Sequence, residues 1–207
     1  SGQPGINSQE YGAYKFSVTS KIEEDKIANF LSLLDKKIEL QTKKIEDLKL
    51  YKKGLTNKLF RDTTGDIHTL SNIALFENGR GHENIIDEFG NYILINSKFI
   101  STNGSIIKRC KKQLTPLYKG NITMVMSDLP NGKALAKCYY VEKDNLFSLN
   151  QRICKIEIKD LSNFNSKYIY YRLNRNPYFL KFDDGVNQTN LKKTDILNIQ
   201  FMIFFYF

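Results

Sequence analysis

Apolar residues between positions 20 and 60 recur at alternating steps of four and three, which is the spacing of a coiled-coil seam on one long helix. Ser20 and Glu23 form a capping box, so the helix is predicted to begin at about Lys21 and to end near Phe60. Polar side chains within such a seam either fix the register of a partner helix or lie where the seam meets solvent. The ten predicted pairing positions, eight of them apolar, are Ile27, Leu31, Leu34, Ile38, Gln41, Ile45, Leu48, Lys52, Leu55 and Leu59.

From Asp66 onwards short runs of β-forming residues alternate with turn signals, which predicts an α+β domain with a mixed, mainly antiparallel sheet. The fold class that follows is a long coiled-coil-forming helix followed by this α/β domain. The predicted limits are a tail over residues 1–19, the helix over 20–60 and the domain over 61–207. Within the domain, strands are predicted at residues 92–95, 106–108, 122–126, 134–141 and 152–158, and short helices at 70–76 and 163–174.

The residues before the long helix resemble the end of the chain. Tyr14, Phe16 and Val18 alternate with other residues, which predicts a short strand after a loop. At an offset of 185 residues, residues 3–18 align with residues 188–203, although only one glutamine and one phenylalanine are identical. The alignment predicts the same loop and strand before the helix and at the end of the chain.

The composition favours an anionic partner. The 207-residue chain carries 31 Lys and Arg against 22 Asp and Glu, a net charge of +9, and nucleic acid is the commonest partner of so basic a protein. An ordinary basic domain without such a partner is the alternative. Hydrophobic residues make up 41% of the chain, which excludes wholesale disorder.

Cysteine spacing and hydropathy exclude further classes. The three cysteines have no CxxC spacing, so neither a disulfide framework nor a zinc site is indicated. The sequence contains no apolar stretch long enough to span a bilayer and no signal sequence. The prediction is a cytoplasmic protein that has no membrane partner.

Catalytic patterns are weak in this sequence. Asp128, Glu157 and Lys159 loosely fit the carboxylates and lysine of a Mg²⁺-dependent nuclease. So loose a pattern arises by chance in many chains, and the alternation of Ile156 and Ile158 favours an ordinary strand. We therefore predict no catalytic and no metal-binding residue, and keep the nuclease as a rival hypothesis.

Patterns typical of nucleic-acid binding are stronger. Between Phe89 and Ser127 the sequence has no acidic residue but six basic ones, interleaved with hydrogen-bonding side chains that grip phosphates or read base edges. We call residues 98–119 the basic segment. The predicted DNA contacts in it are Lys98, Thr102, Asn103, Ser105, Lys108, Arg109, Lys111 and Lys112, and further polar contacts are predicted at Arg80, His82, Asn187 and Gln188.

The helix resembles closely the conserved helix of specificity subunits of type I restriction–modification enzymes. The resemblance is carried by residues 26–31, 34–41, 48–55 and 58–60. Downstream, residues 120–122, 148–153, 188–191 and 195–199 are similar to the framework of that family's target recognition domains. Together these stretches extend over nearly the whole chain.

The resemblance implies a non-catalytic specificity subunit of a prokaryotic restriction system. Full-length members have two recognition domains and two helices, whereas this sequence has one of each, so it resembles a half-subunit whose residues 1–18 look like the tail of a preceding domain. The implied partners are double-stranded DNA with a bipartite target, a second copy of the chain through the antiparallel helix, and methyltransferase and restriction subunits. Those subunits would bring S-adenosylmethionine, ATP and Mg²⁺, and this chain itself would hold no cofactor. A coiled-coil adaptor without specific DNA binding is the rival from another class.

Overall fold

The computed structural model describes residue 5, residues 7–61 and residues 65–203. It divides into two compact units, Ser1–Asn57 and Lys58–Phe207. The first unit contains the short helix α1 (Ser8–Ala13) and most of the long helix α2 (Lys21–Arg61). The predicted long helix is confirmed.

The sequence of α2 explains why it is continuous. Glu23 and Glu24 lie in its first turn, where the helix dipole favours negative charge, and Lys21 pairs with Asp25 one turn away at 2.8 Å. Its eight apolar seam positions are 40% to 66% exposed. The helix therefore presents a regular apolar stripe that the described part of this chain leaves open to solvent.

The second unit begins at Lys58, within the last turn of α2. Phe60 packs edge-on against Tyr168 with the ring centroids 5.5 Å apart, and its carbonyl accepts a hydrogen bond from Arg172 at 3.1 Å. The elements that follow are β1 (Asp66–Thr69), α3 (Leu70–Ile73), β2 (Ala74–Asn78), a 3-10 turn (Glu83–Ile85), β3 (Tyr92–Ile95), α4 (Ser97–Ser101), β4 (Arg109–Cys110), β5 (Pro116–Leu117), β6 (Ile122–Val125), β7 (Ser127–Asp128), β8 (Cys138–Tyr140), β9 (Phe147–Leu149), β10 (Ile153–Ile158), α5 (Ser166–Leu173), α6 (Pro177–Leu180), β11 (Thr189–Asn190), α7 (Lys193–Leu197) and β12 (Gln200–Ile203).

The strands of the described residues form two larger and two smaller sheets. One four-stranded sheet has the order β2-β10-β6-β8 and is antiparallel throughout. The other has the order β4-β3-β9-β5, in which β3 and β9 run parallel. β1 pairs with β12 and β7 with β11, both antiparallel. The predicted α+β class with a mainly antiparallel sheet is confirmed.

Strands β6 and β10 contribute to two hydrophobic cores because successive side chains of a strand point to opposite faces. On one face Met124 and Ile156 pack with residues of α3, α5 and α7. On the other face Val125 and Ile153 pack with residues of α4, β3 and β9, including Phe147. The pair is therefore covered on both sides.

Several predicted element limits are wrong, because tertiary pairing or turn geometry outweighs local preference. The helix predicted over residues 70–76 ends at Ile73, since Ala74 enters β2 and pairs with Ile158. The strand predicted over 134–141 is confined to β8, because residues 134–137 form a turn in which Ala136 has φ 54°. Residues 106–108 lie outside any strand, and β4 begins only at Arg109.

The strand predicted at residues 14–18 is also wrong. Residues 14–20 form neither helix nor strand, and α1 lies just before them. Asn7 starts α1 by a capping box, in which its side chain accepts from the backbone N–H of Glu10 at 2.9 Å and its own N–H donates back to Glu10 at 3.1 Å. The spacing of Asn7 and Glu10 is the local signal for α1, and the alternating residues Tyr14, Phe16 and Val18 lie beyond its end.

The alignment at an offset of 185 residues corresponds to a repeated helix, whereas the strand β12 of the second copy has no counterpart at residues 15–18. Helix α7 begins 185 residues after α1, and the backbone N–H of Lys192 donates to Asp195 at 2.8 Å as that of Asn7 does to Glu10. The side chains of Ile196 and Ile199 are 0% and 2% exposed. Their equivalents, Tyr11 and Tyr14, are 80% and 75% exposed. The first copy of the repeat thus displays apolar positions that the second copy buries.

All three cysteine side chains are buried and none forms a disulfide. Burial raises the pKa of the Cys154 thiol to about 12 and raises that of Cys138 well above its usual value. Among the described residues, no helix combines the length and apolar character needed to cross a membrane.

Candidate nucleic-acid interface

The basic segment runs through several elements of the second unit. β4 is fixed by its pairing with β3, in which Arg109 lies opposite Ile93. The lysines of the segment are exposed and Arg109 is half-buried. They are Lys98 on α4, Lys108 before β4, Lys111 and Lys112 after β4, and Lys119 after β5.

The loop between α4 and β4 is shaped by its own hydroxyl groups. Thr102 Oγ1 donates to the carbonyl of Lys98 at 2.8 Å and accepts from the N–H of Ile106 at 3.2 Å. Ser105 Oγ donates to the carbonyl of Thr102 at 2.8 Å. Asn103 has φ 52° and is exposed at the tip. Of the three predicted polar contacts here, Thr102 and Ser105 therefore hold the loop in shape.

An acidic residue from outside the segment reduces its charge. Lys111 Nζ lies 3.1 Å from a carboxylate oxygen of Asp87. The backbone N–H of Phe89 and the ammonium of Lys111 lower the pKa of Asp87, which keeps that carboxylate ionised. Within residues 65–203, Lys98, Lys108 and Lys112 form no ion pair. Together with Lys119 and Arg109, which also lack an ion pair within residues 65–203, these three lysines supply the unpaired positive charge of the surface.

A basic residue from a distant part of the sequence joins the segment. Lys137 Nζ donates to the carbonyl of Ser101, at the end of α4, at 2.8 Å. Sequence reasoning missed Lys137 because the two residues are far apart along the chain and only the fold brings them together. Lys137 thus adds a positive charge at the end of α4, the helix that carries Lys98.

His82 is 1% exposed and both of its ring nitrogens have partners. Nδ1 lies 2.7 Å from the carbonyl oxygen of Arg80, and Nε2 lies 2.7 Å from Ser148 Oγ on β9. A carbonyl oxygen only accepts, so Nδ1 donates in this contact, and Nε2 shares the second hydrogen bond with the Ser148 hydroxyl. The structure places His82 in the interior as a link to β9, whereas the side chain of Arg80 is exposed.

Asn187 and Gln188 lie in the loop before β11. β11 belongs to a different sheet from β4. Asp184 accepts the backbone N–H of Asn187 at 2.8 Å and its side-chain amide at 2.9 Å. These bonds, the backbone one first, lower the pKa of Asp184 to about 2. Gln188 donates to Ser127 Oγ at 2.7 Å. Both predicted contacts therefore serve the loop, and the structure does not join them to the basic segment.

The residues of the rival nuclease site do not meet. In the β6–β10 pair, Ile122 lies opposite Ile156 and Val125 lies opposite Ile153. Glu157 therefore lies beyond one end of this pair and Asp128 beyond the other. Asp128 accepts the backbone N–H groups of Ala134 and Leu135, and Lys159 donates to two carbonyls of α3. Over the described ranges, no group of three metal-ligating side chains occurs.

Comparison with known proteins relates the fold to one group of structures. No family model matches the sequence, and no curated protein does. The type I restriction–modification S subunit of M. genitalium matches over 70% of this chain and 36% of its own, with a TM-score of 0.53 and 18% identity. The HsdS subunit of Thermoanaerobacter tengcongensis matches over 86% and 44%, with a TM-score of 0.52 and 10% identity.

A third solved structure, from work on complex assembly and conformational transition of the type I R–M system, matches over 85% of this chain and 45% of its own. Its TM-score is 0.56 and its identity 11%. The chain thus spans less than half the length of each of these three structures. At these identities the likeness establishes a shared fold.

The buried His82–Ser148 contact gives a first prediction. Ser148→Ala removes the oxygen that lies against His82 Nε2 and accepts the N–H of Leu114 at 3.1 Å. Because buried polar groups then lack a partner, we expect the free energy of unfolding to fall by about 1–3 kcal/mol in urea denaturation. Ser101→Ala, which removes an exposed hydroxyl of the same unit, is the control and should change it by less than about 0.5 kcal/mol. Equal losses in the two variants would contradict the assigned role.

Proposed function

We propose that this chain is a non-catalytic DNA-specificity protein of the type I restriction–modification kind. The observation that carries the proposal is the extent of the shared fold. The second unit, Lys58–Phe207, is 150 of the 207 residues, so a match over 85% or 86% of the chain reaches into the first unit as well. Domain and helix together, and not a common α/β domain alone, resemble the specificity subunits.

The basic segment is the proposed surface for double-stranded DNA. Lys98, Lys108 and Lys112 are exposed and form no ion pair within residues 65–203, so their charges are available to phosphates. Phosphate contacts position a protein on DNA, and neighbouring polar side chains read the bases. Asn103, exposed at the tip of the loop between α4 and β4, is the proposed reader on this surface.

Helix α2 is the proposed dimerisation element. Its seam is apolar at eight of ten positions and exposed throughout, and burying apolar surface against a second helix is favourable. Antiparallel pairing with the same helix of a second copy would set two domains apart by about 60 Å, the length of a helix of this size. Gln41 and Lys52 are the proposed register positions.

Further subunits complete the proposed enzyme. Methyltransferase and restriction subunits would carry S-adenosylmethionine, ATP and Mg²⁺, and this chain would direct them to a bipartite target. The rival, a coiled-coil adaptor, shares the helix pairing but requires no DNA contact. The experiments on DNA binding therefore separate the two.

Replacing Lys98, Lys108 and Lys112 with Ala tests the DNA surface. Each phosphate contact contributes about 0.9 to the slope of log affinity against log salt concentration, so we expect the slope to fall by nearly three together with the affinity. The measurement is fluorescence anisotropy of a labelled duplex over a range of salt concentrations. Replacing Lys181, Lys192 and Lys193, which are exposed elsewhere on the same unit, is the control for net charge. The same loss in both triple variants would show that binding is not localised to the basic segment.

Leu31→Asp combined with Ile45→Asp tests the seam. Two carboxylates in the buried interface of a coiled coil are strongly unfavourable, so we expect sedimentation equilibrium to show a dimer for the unaltered chain and a monomer for this variant. Leu33→Asp combined with Leu40→Asp makes the same change at exposed leucines outside the seam and should leave the dimer intact. A monomeric unaltered chain, or equal effects of both variants, would refute the proposed dimer.

The twofold symmetry of the dimer predicts the form of the target. Two identical domains related by a twofold axis recognise two inverted half-sites with a fixed spacer. Co-expression with the methyltransferase subunit that assembles with this chain, followed by sequencing of methylated bases, should reveal such an inverted repeat. An asymmetric motif would exclude the symmetric dimer, and the absence of any motif would exclude the specificity function.

A further inference from the structure

Phe89 has the most exposed ring among the large apolar side chains that the structure describes, at 93%. A single exposed apolar residue needs no explanation by itself. The turn that presents Phe89, however, is fixed by contacts on both sides, so the ring projects from a rigid base.

The backbone of this turn is closed by Asp87. The carbonyl of Asp87 accepts the N–H of Gly90 at 3.0 Å, and its carboxylate accepts the N–H of Phe89 at 2.8 Å. The same carboxylate pairs with Lys111. Three contacts through one residue leave the backbone at Phe89 little freedom.

The turn is also pressed against β4. The N–H of Asp87 donates to the carbonyl of Arg109 at 3.1 Å, and Arg109 Nη1 donates to the carbonyl of Gly90 at 3.2 Å. A Cβ atom at Gly90 would lie 2.4 Å from the carbonyl oxygen of Cys110, so only glycine fits this approach. Phe89 is therefore held next to the strand that carries Arg109, in the middle of the basic segment.

The surroundings of the turn combine positive charge with apolar side chains. An open cleft of about 450 Å³ is lined by Ile86, Glu88, Ile107, Lys108 and Arg109. The acidic groups here are Glu88 in that lining and Asp87 next to it, and Lys108, Arg109 and Lys111 outnumber them. An exposed ring held beside lysine and arginine matches the way proteins insert a side chain into a base step while cationic side chains hold the flanking phosphates.

We propose that Phe89 is a wedge that inserts between adjacent base pairs of the duplex bound by the basic segment. The inference rests on the proposed DNA-binding function and adds to it a residue that unstacks the DNA. Insertion costs stacking energy, and that cost depends on the base step. Phe89 would thus favour flexible steps at positions where no hydrogen bond reads the sequence.

The test compares two duplexes that differ by one mismatched base pair. A mismatch lowers the cost of unstacking, so a wedge should make the full-length chain bind the mismatched duplex more tightly, by a factor on the order of ten. Phe89→Ala should reduce this ratio to about one while leaving the salt slope unchanged, because the phosphate contacts remain. Phe89→Trp, which keeps a flat aromatic ring, should retain the preference.

Two controls make the result decisive. Leu161→Ala removes another exposed apolar side chain of the same unit and should leave the ratio as in the unaltered chain, and equal melting temperatures of all variants should show that the turn folds normally. A preference that persists in Phe89→Ala, or that the unaltered chain lacks, overturns the wedge while the salt-dependent binding still supports the proposed function. Failure of the unaltered chain to bind any duplex overturns both.

Discussion

The antiparallel pairing of β6 with β10 is the interaction on which the second unit depends. Its register puts Ile156 opposite Ile122 and Ile153 opposite Val125, and the alternation along both strands supplies apolar side chains to two cores at once. A slip by one residue would turn Lys155 and Glu157 towards the first core and expose the isoleucines. The register is therefore fixed from both faces, and with it the position of every element packed on either side.

The candidate DNA surface derives its geometry from the second of these cores. β9 contributes Phe147 and Leu149 to that core, and Ser148 between them faces His82 and the backbone at Leu114. β9 also pairs in parallel with β3, which in turn pairs with β4. A continuous path of backbone pairing and buried hydrogen bonds thus leads from the hydrophobic interior to the strand that carries Arg109. Such support limits the motion of the basic segment before any ligand arrives.

Local signals in the sequence were sufficient to place two elements. The Ser20–Glu23 sequence pattern and the heptad spacing predicted the long helix to within one residue, and 92–95 was predicted with its observed limits. The site was harder to predict because its electrostatics are tertiary. The basic segment contains no acidic residue, but in the fold Asp87 pairs with its Lys111. Lys137, also from outside the segment, donates to the carbonyl of Ser101 and brings a further positive charge. The burial of His82 depends likewise on Ser148, 66 residues away, and no short-range pattern reports such a partner.

The burial of all three thiols has a practical consequence for studying the chain in solution. Thiolates, and not thiols, react with maleimides and disulfide reagents, and burial both raises the pKa and blocks access. Cys138 and Cys154 are held protonated in the interior, and the side chain of Cys110 is also buried. A cysteine introduced at an exposed position would therefore react faster than the three native cysteines. Pairs of spectroscopic labels could then be attached without first removing the native cysteines, and distances between two copies of the chain could be measured directly.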